Sequence, residues 1–161
     1  MAKVYAYANN WWFLDRIGTQ QDFIGLNYYF TNYYRGWKMD NPGAPQSDLG
    51  WYMEPAGVGP LVSAVSSRYA LPIMITENGL ADGQDQYREW WLQETIAALQ
   101  SAQDAGAKLI GYMHWSLLDN FEWKYGWWPK FGLVYVDREQ GMQRTVRPSA
   151  RWLQRYIASL K

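Results

Sequence analysis

Three short runs of apolar and β-branched residues stand out along the chain: DFIGLNYY (22–29), LPIMITEN (71–78) and KLIGYMHW (108–115), each bounded by polar or Gly/Pro punctuation. Their apolar positions run on rather than alternate, which predicts strands covered on both faces and therefore parallel. Between them the spacing changes to that of helices. Val58, Leu61, Val62, Val65 and Tyr69 fall on one face, and Leu92, Ile96 and Leu99 fall on another in a segment predicted to start near Asp85 and to stop at Gly106. Beyond the third strand, VYVD and QRTV around an EQG turn predict a hairpin. Ser149 is then predicted to cap a last amphipathic helix through Trp152, Leu153, Tyr156, Ile157 and Leu160. Residues 41–60, rich in Pro and Gly, read as a long loop inside one domain spanning 1–161, and loops of that length tend to carry function.

The order strand, helix, strand, helix, strand implies an α/β fold with a parallel sheet under helices, either doubly wound or part of a (β/α)8 barrel. No GxGxxG or GxxxxGK[ST] follows any of the strands, which weakens a nucleotide-binding version. Charge excludes further classes. Fifteen Lys plus Arg balance fifteen Asp plus Glu, so no basic field exists to hold nucleic acid or a membrane surface. With no cysteine and one histidine, neither a disulfide framework nor a usual zinc site is expected, and no cofactor or metal is implied. No apolar run has the length of a membrane span, and the first residues lack the pattern of a secretion signal; the expectation is a soluble, cytoplasmic protein. Eleven Trp and thirteen Tyr suit a ligand with both C–H faces and hydroxyls, as a sugar has, although a core and interface built from aromatics would use them equally well.

In both candidate architectures ligands bind beyond the carboxyl ends of the strands. The first strand delivers Asn27, Tyr28 and Tyr29 there, the second Glu77 and Asn78, the third His114 and Trp115, followed by Asp119, Asn120, Glu122 and Trp123. Glu77 projects from the rim of a rigid sheet, where a carboxylate could attack an anomeric carbon if a neighbour such as Tyr29 orients it and a second carboxyl protonates the leaving oxygen. The same Glu-Asn-Gly also reads as a turn with Gly79 at positive φ. In HWSLLDNFEW (114–123) the carboxylates need partners, which sugar hydroxyls would supply; the plainer alternative is a capped turn with Asp119 or Asn120 at a helix start and Glu122 in solvent. His114 reads as a hydrogen-bonded wall residue.

With those residues in view the chain resembles glycoside hydrolase family 1, through DFIGLNYY, ITENG (75–79), HWSLLDNFEW and KFGLVYVD (130–137), in that family's order and spacing from FLDRI (13–17) onward. The resemblance implies a (β/α)8 barrel of β-glucosidase or β-galactosidase type, with Glu77 as catalytic nucleophile and Tyr29 hydrogen-bonded to it. It further implies that Asn27 lines the glycone site, that Trp115 forms its floor, that Glu122 grips two hydroxyls, that Trp123 donates from its indole, and that Phe131 walls the subsite. The Glu122-Trp123 pair points to unphosphorylated β-glucosides or β-galactosides. What departs from the family is length. The TNEP-type motif carrying the acid/base Glu is missing, and the chain matches about the last three βα units, strands six to eight. Three strands cannot close a barrel of eight. The chain is therefore expected to be a fragment needing an amino-terminal barrel fragment as partner, and to be nearly inactive alone. The competing expectation is a non-catalytic half-barrel that binds its complement or holds sugar weakly.

Overall fold

A computed structural model describes residues 2–18 and 20–160. Two helices, α1 (Ala2–Asn10) and α2 (Trp12–Ile17), precede strand β1 (Ile24–Tyr28) and a small antiparallel ribbon of β2 (Tyr34–Arg35) and β3 (Lys38–Met39). A 3₁₀ turn (Pro55–Gly57) leads into α3 (Val58–Tyr69), followed by β4 (Ile73–Asn78), α4 (Arg88–Asp104) and β5 (Leu109–His114). The second 3₁₀ turn (Trp123–Tyr125), the hairpin β6 (Val134–Asp137) with β7 (Gln143–Val146), and α5 (Pro148–Ser159) complete the chain.

The three predicted strands form one parallel sheet in the order β1-β4-β5. Helices α3 and α4 cover one face of it. Val58, Val62 and Val65 from α3 and Trp91, Leu99 and Ala102 from α4 close over Ile24, Ile73 and Ile75, forming the main core. Each fully buried aliphatic side chain in it contributes roughly 1.5–3 kcal/mol. The expectation of strands buried on both faces is met on this face alone. Gly25 and Asn27 of β1 and Ile110 and Met113 of β5 are exposed, because no described element covers them. Both outer strands of the sheet are edges. The apolar stripe of α5 is likewise only partly covered: Leu153, Tyr156, Ile157 and Leu160 line a groove of about 570 Å³ against α4 and the free side of β5.

Two helix starts differ from the expectation. The fourth helix begins at Arg88, not near Asp85, because the Asp82 carboxylate accepts from the backbone N–H groups of Tyr87 (2.7 Å) and Arg88 (3.0 Å) and so satisfies two of the donors a helix start leaves free. Ser149 is not the cap of α5. It lies inside the helix behind Pro148, and its N–H and hydroxyl both donate to Asp85, at 2.9 and 2.6 Å, across 64 residues of sequence. Asp85 also pairs with Arg88, which is fully buried, so one carboxylate joins the start of α4 to the start of α5. Pro at the first position and a remote carboxylate do the work that Ser was expected to do locally.

Candidate functional site

The carboxyl ends of β1 and β4 bring Tyr29 and Glu77 into contact: the Tyr29 hydroxyl donates to Glu77 Oε2 at 2.7 Å. Burial first, then that hydrogen bond, then the charges of Glu77 and Glu122 push the Tyr29 phenol far above its ordinary pKa, so it stays protonated and a donor. Asn27 is the cross-strand partner of Glu77 and is exposed, its Oδ1 accepting from the Thr76 hydroxyl at 2.7 Å. Thr76 packs where Gly25 has no side chain.

Gly79 follows directly. It is not at positive φ as the turn reading required; a Cβ there would run into the carbonyl oxygen of Trp115, so glycine serves close backbone approach. That approach is matched by a backbone bond from Trp115 N–H to the Asn78 carbonyl at 2.8 Å, which seats Trp115 beside the Glu77 strand end.

Glu122 completes the acidic side. Its pKa is raised chiefly by burial, with the charge of Glu77 adding to the rise and the Trp115 side chain opposing it. Glu122 Oε2 is buried and has no hydrogen-bond partner among the described residues. Trp123, next in sequence, is 78% exposed and holds a left-handed backbone, φ 46°. Among the described residues no hydrogen bond or ring contact brings its indole to Glu77.

Asp119 belongs to a different structure. Its carboxylate accepts from Arg147 Nη1 (3.0 Å) and Nη2 (3.2 Å) and from the N–H groups of Gly132 (2.9 Å) and Val136 (3.3 Å), all buried. It is neither a sugar partner nor a helix cap. Through Gly132 it fixes Phe131, whose neighbour Lys130 is held from the other side by Arg88 and Asp82. Phe131 is buried and packs edge-on against Tyr29, ring centroids 5.9 Å apart, so it backs the tyrosine instead of facing solvent. His114 is half-buried beside Tyr112, 3.3 Å from that hydroxyl, and desolvation takes its pKa down to about 3, so it is neutral. That is a wall residue.

Sequence reasoning missed Trp51. Its ring packs on Tyr29 (6.0 Å), Phe30 (4.9 Å) and Phe131 (6.2 Å), bringing the long loop onto the site. The loop's length was the only signal, since the stacking partners lie far apart in sequence. Among the described residues no cluster of three or more His, Cys, Asp or Glu could hold a metal ion, and no helix is long and apolar enough to cross a membrane.

The profile of Glycosyl hydrolase family 1 matches residues 13–161. The chain is 31% identical over 177 residues to the chloroplastic 4-hydroxy-7-methoxy-3-oxo-3,4-dihydro-2H-1,4-benzoxazin-2-yl glucoside beta-D-glucosidase 1b of Triticum aestivum, covering 88% of this chain and 31% of that protein. It is 33% identical over 163 residues to a beta-galactosidase of Saccharolobus solfataricus, covering 80% of this chain and 33% of that one. Its structure is similar to the beta-glucosidase of Thermotoga maritima in complex with glucoimidazole, with a TM-score of 0.81 at 33% identity over 85% of this chain and 34% of the other. The chain thus spans about a third of the length of the proteins it matches.

Proposed function

The chain belongs to glycosyl hydrolase family 1, and on that footing we propose that it carries the nucleophile side of a retaining β-glycosidase site within a (β/α)8 barrel, as about strands six to eight. Glu77 attacks the anomeric carbon of a β-glucoside or β-galactoside and forms a glycosyl ester, while the glycosidic bond breaks and its electron pair leaves with the aglycone oxygen. A carboxyl group outside this chain protonates that oxygen and then takes a proton from the water that hydrolyses the ester. Retention of configuration follows from a separation of about 5–5.5 Å between the two carboxyls.

The observation that carries this reading is the Tyr29 hydroxyl donating to Glu77 beside Glu122, a second carboxyl with a buried acceptor oxygen left unpaired. A hydroxyl of the sugar supplies the donor that oxygen lacks. Trp115 provides the apolar floor, Asn27 and Trp123 add polar contacts to the same glycone, and Phe131 stiffens the wall through Tyr29. A cytoplasmic setting remains part of the proposal.

Incubation with a 2-deoxy-2-fluoro β-glucoside bearing an activated leaving group tests it, because such a substrate needs little acid assistance. Intact mass should rise by one sugar on this chain and not on Glu77→Gln. Ordinary glycosides should turn over very slowly without an amino-terminal barrel fragment. No mass gain would favour the second reading, a half-barrel that binds its complement, which the two free sheet edges and the open groove beside β5 support.

A further inference from the structure

Strand β4 carries one residue more than either neighbour just before its end. Against β1, Leu26 pairs with Ile75 but Asn27 pairs with Glu77; against β5, Ile75 pairs with Tyr112 but Asn78 pairs with His114. Both sides of the strand therefore register the same bulge at Thr76–Glu77. Its effect shows in burial. Ile73 and Ile75 point into the core, and strict alternation would send Glu77 after them. Instead Asn78 takes that inward position, fully buried, and Glu77 is released to meet Tyr29.

An asparagine in an apolar core needs hydrogen-bond partners for its amide, and both polar atoms of Asn78 have them. Its Oδ1 accepts from the Trp91 indole at 3.0 Å and from the Tyr112 hydroxyl at 2.9 Å, while its Nδ2 donates to the Tyr28 carbonyl at 2.7 Å. Those partners come from α4, β5 and β1, so the side chain ties the strand to both of its neighbours in the sheet and to one of the two helices over it. A slip of one residue would orphan all three groups and push a carboxylate into the core. We propose that Asn78 is a positioning residue for the reaction assigned to Glu77: its amide locks the bulge that turns the nucleophile out of the core and onto Tyr29. The proposal rests on the nucleophile reading for its function, and on the bulge and the three hydrogen bonds for its geometry.

The test needs no turnover. The chain is prepared with 3-fluorotyrosine, the Tyr29 resonance is assigned with Tyr29→Phe, and the ¹⁹F shift caused by Glu77→Gln is measured as a report on their contact. In the parent chain that shift should be clear; in Asn78→Ala it should be lost. A full shift retained in folded Asn78→Ala overturns the proposal, since a residue that merely stabilises would lower the melting temperature and leave the contact intact. Should Asn78→Ala not fold, Tyr112→Phe removes one donor to Asn78 and keeps the ring; a diminished shift supports the proposal and an undiminished one overturns it. Fluoroglycoside labelling separately decides whether Glu77 is the nucleophile, so the two failures are distinct.

Discussion

Two carboxylates three positions apart in one motif have opposite surroundings. Asp119 is enclosed by a guanidinium and two backbone amides and satisfies them all, whereas Glu122 keeps a buried oxygen with no donor and lies in the field of Glu77. The fold uses the first and leaves the second unfinished. A cluster of acidic and aromatic residues at a strand end is thus not one site but a structural node and a ligand-facing rim set side by side.

The comparison breaks most severely at Asp119. Asp119→Ala leaves Arg147 buried without its partner and frees two amides, and should cost about 3–5 kcal/mol in urea denaturation. If the loss is below about 1 kcal/mol, the node is not what joins the hairpin to the sheet. His114, at the head of the same motif, gives the next effect. Its folded pKa of about 3 lies below the ordinary 6.5, so the folded state binds fewer protons than the unfolded state in that interval. Stability is fully present above pH 6.5 and is lost as pH falls toward 3; His114→Gln should flatten that slope in melts recorded across the range.

Glu122 should slope the other way. Its folded pKa is raised, so stability falls as pH rises from its ordinary 4.5 through the folded value, and Glu122→Gln should remove the fall while changing stability at low pH by less than about 0.5 kcal/mol. The same variant should lose fluoroglycoside labelling, which separates the rim from the node. Opposite in sign to the loss at Asp119 is Trp123→Gly, which relieves a left-handed backbone at an exposed position and should raise stability by about 1 kcal/mol in the same denaturation assay.

The strands and their parallel pairing were legible from the continuous apolar runs and the helices between them, and Glu77 and Tyr29 were legible as strand-end residues. The bulge was not: Thr76 and Glu77 read as ordinary continuation, and only pairing on both sides exposes the extra residue. Partners remote in sequence hid the rest. Asp119 could not be assigned to Arg147 across 28 residues, nor Asp85 to Ser149 across 64, because a local cap always looks sufficient when the distant acceptor is out of view. Trp51 escaped for the same reason, lying in a loop with no periodicity to place it.

The left-handed Trp123 has a consequence for how such a chain can be improved. Any selection that rewards resistance to heat or denaturant alone will favour its replacement by glycine, and will favour relieving the unpaired Glu122 as well. Such selection would drift toward a sturdier molecule with a blunted sugar rim. Screening for ligand capture together with thermal survival is what keeps both residues in place.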